Sequence, residues 1–152
     1  MDGQDYIKQT LELYKIPIDS RKKDPYSSSD YSVSKPWGKE EWMELTPHFC
    51  LKKISMFAGF QSSLQYHNLK TEINYVLSGS VKLLIGHDEH NLQEKIFGPG
   101  DSWVVPVGTV HRVIALTDYV ALEASSPHLD DVVRIVDDSN RPSGLIKNEH
   151  PC

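Results

Sequence analysis

Four polar side chains in this 152-residue chain have the types and spacing of a small metal site. Gln65 and His67 are separated by one residue, so in an extended strand both side chains point to the same face. Glu72 follows after a short polar segment that can reverse the chain, and His111 lies just beyond a turn that contains proline and glycine. Two imidazoles, one carboxylate and one amide oxygen form a mixed nitrogen and oxygen ligand set, which suits a borderline divalent ion.

Short strands must position these residues. From residue 40 onward, short apolar segments alternate with glycine and proline turns at close intervals, and this pattern predicts an all-β sandwich or barrel. The segment 129–138 is predicted to be either a last strand or a short helix, and residues 87–93 are predicted to be a loop. The other predicted strands are 40–45, 49–57, 61–67, 72–77, 81–85, 95–97, 102–105, 111–116 and 119–124.

The N-terminal part of the chain differs from the rest in its composition and residue pattern. Residues 5–16 place Ile7, Leu11 and Tyr14 at helical spacing, and the proline that follows prevents continuation. We expect a short amphipathic helix that packs on the domain or on a neighbouring subunit. Residues 18–34 are polar and contain a serine run, which indicates a linker or surface arm. The predicted organisation is a helix and polar arm at 1–34, a β domain at 35–141 and a C-terminal tail at 142–152.

Composition and charge narrow the functional classes. The formal net charge of -5 argues against non-specific nucleic-acid binding, but a small anionic substrate needs only a local cluster of positive groups. The sequence has no run of about 18 apolar residues and no signal-peptide pattern, so we expect a cytoplasmic protein that does not bind a membrane. The two cysteines are too few and too scattered for a disulfide framework.

The spacing of the four candidate metal ligands and of the glycines and proline around them resembles the two sequence motifs of the cupin superfamily. The resemblance implies the double-stranded β-helix of jelly-roll type, here preceded by a short helix, and a homodimer, since cupins commonly dimerise. The first motif is matched by Gly59, Gln65, His67, Glu72 and Gly79, with glutamine where histidine is commoner, and the second by Gly100, Pro106, Gly108 and His111.

A narrower resemblance is to the type II mannose-6-phosphate isomerases, which also form the isomerase domain of bifunctional mannose-1-phosphate guanylyltransferases. In that family Gln, His, Glu and His bind a divalent metal, which implies one Zn, Mn, Fe, Ni or Co ion at Gln65, His67, Glu72 and His111. Asn74 stands where the family usually has tryptophan, and this changes the polar lining of the pocket. The segments that carry the resemblance are KPWG at 35–38, SLQYHNLKTE at 63–72, GDSWVVPVGTVHR at 100–112 and LDDVVRIVDD at 129–138.

The activity that the resemblance implies is aldose–ketose isomerisation of a sugar phosphate through an enediolate. A metal-bound Glu72 is a poor base, and a separate general base typically contributes about a hundredfold to ten-thousandfold. Glu123 is the candidate base, because desolvation among apolar neighbours favours the protonated form of a carboxylate. Lys70 is grouped with it as a catalytic residue and could also contact a phosphate. The candidate substrate-binding residues are Lys52, Lys53, Asn74 and Arg134.

Alternatives are open at this point. The chain could be a different metal enzyme on the same scaffold, such as an oxygenase or lyase, although Gln65 departs from the histidine-rich sites that iron oxygenases prefer. It could also be a sugar-binding module without turnover, because one fold hosts many chemistries. For single residues, Glu123 could pair with an arginine, Lys70 could be a solvated turn residue, and Arg134 could pair with nearby aspartates.

Overall fold

The structure, a computed structural model, describes residues 3–13, 15 and 31–144. About half of these residues form strands and only one segment forms an α-helix, which confirms the predicted all-β class with a short N-terminal helix. The helix α1 spans Gly3–Leu13, and the strands are β1 Tyr31–Lys35, β2 Gly38–Leu45, β3 Cys50–Met56, β4 Leu64–Tyr66, β5 Glu72–Ser78, β6 Val81–Gly86, β7 Leu92–Phe97, β8 Ser102–Val105, β9 Val110–Ala115, β10 Tyr119–Ser125 and β11 Val133–Val136.

The strands form two antiparallel sheets. One sheet has the order β1-β2-β3-β10-β5-β8 and the other β11-β4-β9-β6-β7, so neighbouring strands are often distant in sequence. The main apolar core takes Val76 and Trp103 from the six-stranded sheet and Val81 and Leu83 from the other. Each such side chain contributes roughly 1.5–3 kcal/mol when fully buried. This core packs the two sheets against each other as a jelly roll.

Most predicted strands occur within one or two residues of their expected bounds, and three segments differ in informative ways. The predicted loop 87–93 ends earlier, because Leu92 already pairs with β6. The predicted strand 61–67 is reduced to β4, and Gln61 makes only an isolated bridge to Ile114 of β9. Of the two possibilities for 129–138, the structure shows a strand, β11, in its second half.

Strand β1 begins inside the segment 18–34 that the polar composition assigned to an arm, and it ends one residue beyond it. Tyr31 and Val33 are buried, and β1 pairs with β2 along its full length. The alternation of two apolar residues with serines is too short to stand out from a polar segment, although it is the pattern of a half-buried strand. Residues 18–30 of the predicted arm lie outside the described part of the chain.

Helix α1 packs on this end of the six-stranded sheet. The ring of Tyr6 stacks on that of Tyr31, with the ring centroids 4.7 Å apart. Ile7 and Leu11 of the predicted apolar stripe pack against the same cluster, whereas Tyr14 lies outside the described residues. The helix therefore contacts the β domain of its own chain, and it has neither the length nor the apolar content needed to cross a membrane.

Candidate metal centre

Three of the four predicted ligands converge between the two sheets. His67 directly follows β4 and His111 lies in β9, both in the five-stranded sheet, whereas Glu72 begins β5 in the six-stranded sheet. Gln65 in β4 is the direct cross-strand partner of His111 in β9. Residues that are distant in sequence thus meet because the sheet order places their strands side by side or face to face.

The geometry of this cluster is compact. His67 Nε2 lies 3.5 Å from Glu72 Oε2, and His111 Nε2 lies 3.6 Å from Glu72 Oε1. One ligand atom from each residue lies within 4.8 Å of the other two. His67 is 0%, His111 2% and Glu72 5% exposed, so all three are sealed from bulk water. Such an arrangement lets one carboxylate and two imidazoles address a single cation.

The outer nitrogens of both imidazoles face backbone carbonyls. His67 Nδ1 lies 2.6 Å from the carbonyl oxygen of Asp131, and His111 Nδ1 lies 3.0 Å from that of Thr109. A carbonyl only accepts, so each Nδ1 must carry a hydrogen, and in the neutral form of either ring the lone pair is then on Nε2. Burial lowers the pKa of His111 more than the nearby Glu72 raises it, which favours the neutral, ligating form.

The buried Nε2 of His67 tests whether a metal fits this cluster. It has no hydrogen-bond partner within the described part of the chain. A buried nitrogen lone pair without a partner is unfavourable, and a cation between the two histidines and the carboxylate would satisfy it. The donor set of His67, Glu72 and His111 therefore fits a divalent metal ion.

Gln65, the fourth predicted ligand, is placed at the edge of the cluster. Its side chain lines the same cavity as Glu72 and His111. Its Oε1 accepts a hydrogen bond from the Ser63 hydroxyl at 2.5 Å. The Gln65 side chain thus lines the cavity together with two of the three ligands, and its amide oxygen is held by Ser63, the residue that directly precedes β4.

The two predicted catalytic residues form an ion pair next to the cluster. Lys70 Nζ lies 2.8 Å from Glu72 Oε2 and 3.0 Å from Glu123 Oε1. Lys70 is 5% exposed, which excludes the role of a solvated turn residue. Burial lowers the pKa of Lys70, but Glu123 and then Glu72 offset this, and the net shift is upward. Burial raises the pKa of Glu72, yet Lys70 and the histidines hold it well below its usual range.

The adjacent lysines Lys52 and Lys53 on β3 face opposite ways, as strand alternation requires. Lys52 is buried and lines the cavity. Lys53 lies on the outer face of the sheet, where its Nζ is 3.7 Å from a carboxylate oxygen of Glu41. Of the two candidate substrate contacts, the structure therefore directs Lys52 to the cavity and Lys53 away from it.

The remaining predicted substrate contacts, Asn74 and Arg134, both line the cavity. Asn74 is buried, and its Nδ2 donates to Glu72 Oε1 at 3.2 Å. The guanidinium of Arg134 donates to the carbonyl oxygens of Pro142 and Gly144. Asn74 thus orients the ligand carboxylate, and Arg134 ties the end of the described chain to the rim of the site.

Asp131 is a site residue that sequence analysis missed. Its carboxylate accepts three backbone N–H groups, from Asn68 at 3.0 Å, Leu69 at 2.6 Å and Lys70 at 2.8 Å. Burial raises the pKa of Asp131, but these three donors together lower it by more, so the net shift is downward. The residue fixes the turn between His67 and Glu72, and its carbonyl also holds His67. No local pattern signals this, because the contact joins segments more than sixty residues apart.

Glu40 is the second residue that was missed. Its carboxylate Oε2 lies 3.0 Å from both Lys52 Nζ and Trp42 Nε1 in the interior of the sheet. Burial raises the pKa of Glu40, but the combined opposite effect of Lys52 and Lys35 is larger, so the pKa lies well below its usual range. A signal was present in this case: Glu40 and Glu41 are adjacent in a strand, so one of them must face inward.

Most of these groups, although neither His67 nor Asp131, line one cavity of about 100 Å³. Its lining carries more basic than acidic side chains, in contrast to the net negative charge of the whole chain. This local excess of positive charge favours an anionic ligand. The basic residues are Lys35, Lys52, Lys70, Arg134 and Arg141, and the acidic ones are Glu40, Glu72 and Glu123.

Comparison with known proteins agrees with this architecture. The sequence model of the family described as Cupin matches residues 19–142. KdgF from Halomonas sp. superposes with a TM-score of 0.56 over 64% of this chain and 87% of that structure, at 22% sequence identity. At that identity the likeness supports the fold alone.

Two relatives are mannose-1-phosphate guanylyltransferases, the group whose isomerase domain the motifs resemble. The protein from Escherichia coli (strain K12) is 29% identical over 110 residues, which cover 69% of this chain and 22% of that protein. ManC from Salmonella typhimurium is 27% identical over 136 residues, which cover 86% of this chain and 26% of that protein. The chain thus matches about a quarter of the length of these relatives.

Proposed function

The chain belongs to the cupin family, and on this premise we propose that it is a metal-dependent isomerase that interconverts aldose and ketose sugar phosphates through an enediolate. The observation that carries the proposal is the approach of two histidine Nε2 atoms to the two oxygens of a single buried carboxylate, Glu72. A cavity whose lining carries more basic than acidic side chains adjoins this cluster. The relatives are named for a mannose phosphate, which supports a sugar phosphate as substrate.

His67, Glu72 and His111 would hold one divalent ion, with the Gln65 amide oxygen as a fourth donor. When bound, such an ion polarises a carbonyl and stabilises the negative charge that develops on the enediolate oxygens. Asn74 and Lys70 keep the Glu72 carboxylate in place through their hydrogen bonds to its two oxygens. The backbone carbonyl of Asp131 holds the His67 ring in place by accepting a hydrogen bond from its Nδ1.

Glu123 is the proposed general base. It would take the proton from the carbon next to the carbonyl, so that the electrons of the C–H bond form the carbon–carbon double bond of the enediolate. The carbonyl π electrons would at the same time move onto the carbonyl oxygen. The same carboxyl would then return the proton to the former carbonyl carbon, while the proton of the adjacent hydroxyl group passes to the former carbonyl oxygen and leaves the new carbonyl group. Lys70 stays an ammonium because its pKa is raised, so it positions Glu123 by a 3.0 Å hydrogen bond and does not take up the proton itself.

A homodimer also remains a proposal. The outer face of the six-stranded sheet exposes a group of apolar side chains on β5 and on the edge strand β8. Ile73 pairs directly with Val104 across these strands, so the exposed side chains are contiguous. Contiguous apolar surface on a folded domain often marks an interface. The residues, each about half exposed, are Ile73, Tyr75, Leu77 and Val104.

Incubation in heavy water tests the enzymatic proposal. The full chain, loaded in turn with zinc, manganese, cobalt, nickel or iron, is incubated with hexose, pentose and heptose phosphates and followed by NMR. We expect deuterium to enter the carbon beside the carbonyl, and we expect the exchange to stop in metal-stripped protein and to fall strongly in Glu123→Gln. Exchange at equal rates with and without metal would contradict the proposal. Bound metal without exchange for any sugar phosphate would favour another cupin chemistry or a binding module.

A further inference from the structure

We propose that Glu40 and Lys52 form a second subsite of the cavity, one that binds uncharged vicinal hydroxyl groups and excludes phosphate. This inference rests on the proposed sugar-phosphate function and names which end of the substrate enters this part of the cavity. Both residues line the cavity, and the catalytic steps described above use neither of them.

The sheet register separates this subsite from the metal centre. Lys52 on β3 pairs with Glu123 on β10, and Glu123 pairs with Asn74 on β5, two residues after Glu72. Glu40 lies one strand further out, on β2. Neighbouring strands are about 4.8 Å apart, so the backbones of β2 and β5 are separated by about 14 Å. A ligand that reaches Lys52 and Glu40 from the metal centre must therefore extend across the cavity past Glu123.

The two side chains offer the hydrogen-bonding groups that a diol requires. Glu40 Oε2 accepts from Lys52 Nζ and Trp42 Nε1, both at 3.0 Å, and the second carboxylate oxygen, Oε1, can accept as well. A carboxylate oxygen only accepts, and an ammonium has three hydrogens to donate. Adjacent hydroxyl groups can each donate and accept, so one can donate to Glu40 while its neighbour accepts from Lys52.

Charge argues against phosphate at this position. Burial lowers the pKa of Lys52, but the neighbouring acidic groups, Glu40 first among them, oppose this, so the net shift is upward. The same contact keeps Glu40 ionised at neutral pH. The two residues therefore form a buried pair that itself carries no net charge. Lys35 also lowers the pKa of Glu40, but a phosphate dianion placed against the Glu40 carboxylate would be repelled by that carboxylate. A buried ion pair gives little net stability compared with apolar residues of the same size, so stability alone does not account for its presence in the cavity.

Binding measurements with two probes test this subsite without requiring turnover. Isothermal titration calorimetry of the metal-loaded full chain would use D-mannitol 1-phosphate, a polyol phosphate that cannot isomerise, and inorganic phosphate. We expect Glu40→Gln to bind the polyol phosphate about tenfold more weakly, because a charged acceptor is lost. We expect it to bind inorganic phosphate about tenfold more tightly, because Lys52 is left without its counter-charge. Unchanged affinity for both probes, or a parallel loss for both, would overturn the proposal.

The neighbouring residue supplies a matched control. Glu41 lies on the same strand but on the outer face, where it pairs with Lys39 and Lys53. Glu41→Gln should leave both affinities unchanged. If Glu40→Gln does not fold, the double variant Glu40→Met and Lys52→Met removes both buried charges, which proteins often tolerate well. It should lose affinity for the polyol phosphate without gaining affinity for inorganic phosphate. Because no step needs turnover, a failed isomerase assay leaves this result standing, and the reverse also holds.

Discussion

Lys70 Nζ lies 2.8 Å from Glu72 Oε2, on the same carboxylate that faces both site histidines. The carboxylate proposed as a metal ligand thus already has a buried cation beside it. Lys70 also bridges to Glu123 at 3.0 Å, so one ammonium neutralises part of the charge of two carboxylates. The balance between this lysine and an added cation determines how the site responds to metal.

Replacing Lys70 with methionine should therefore have opposite effects on the two forms of the protein. The metal-free variant loses the cation that pairs with Glu72 and Glu123, and removal of one partner of a buried pair typically costs about 3–5 kcal/mol. The metal-loaded form loses a positive charge that repels the ion. We expect a lower Tm without metal and a larger rise in Tm on addition of metal than in the wild type. Equal rises in both proteins, measured by calorimetry, would show that Lys70 and the metal do not compete.

Loss of any one proposed ligand should abolish stoichiometric metal binding. Loss of an outer partner typically reduces metal affinity by about 10–100-fold, and we expect a larger loss for His67→Ala, Glu72→Gln and His111→Ala. His90 is an exposed histidine whose substitution by alanine provides the control. Elemental analysis of dialysed protein measures the outcome. Full metal content in His67→Ala or His111→Ala would contradict the proposed centre.

Asp131→Ala should weaken the site without touching a ligand side chain. Three backbone N–H groups of residues 68–70 would lose their acceptor, which costs about 1–3 kcal/mol for each that stays buried and unpaired. The turn that carries His67 then loosens, so we expect metal affinity to fall about 10–100-fold. The exposed neighbour Asp130→Ala is the matched control. The prediction fails if both variants bind metal as the wild type does.

Glu40 should contribute to the acid limb of the stability profile. Its pKa is held below the ordinary value of 4.5 in the folded state. The stabilisation from its ionised form is therefore complete above about pH 4.5 and is lost as the pH falls below that value. Urea unfolding between pH 3 and pH 7 should show a shallower loss of unfolding free energy for Glu40→Gln than for the wild type. Identical slopes would mean that the Glu40–Lys52 contact does not persist in solution.

The exposed apolar surface of β5 and β8 makes a prediction about assembly. Introducing a charge by Tyr75→Glu should convert the proposed homodimer into a monomer, because a charge is costly to bury in an interface without a partner. Ser34→Glu places the same charge at the exposed end of β1 in the same sheet and should leave the mass unchanged. Light scattering coupled to gel filtration measures both. A wild-type monomer would remove the proposal.

The parts of this protein that could be predicted from its sequence are those with a local pattern. Strand spacing follows from alternation and turn residues, and the site of His67, Glu72 and His111 follows from motif spacing. The contacts of Asp131 could not be predicted, because they depend on how the chain returns to the turn after β10. The pairing of Glu40 with Lys52 depends on the register between β2 and β3 and on a register shift after Trp42, which no pattern in either strand specifies.

The three converging ligands come from both layers of the sandwich, with His67 and His111 in one sheet and Glu72 in the other. An ion held by all three would cross-link the layers, so the sheets could not separate without releasing it. Binding to the folded state alone adds RT ln(1 + [L]/Kd) to stability, about 2.7 kcal/mol at a free-ion concentration a hundred times Kd. The metal concentration in the cell would then determine how long the interior amides of this domain stay protected from hydrogen exchange. Without the ion, we expect the amides between the two sheets, next to the metal centre, to exchange first.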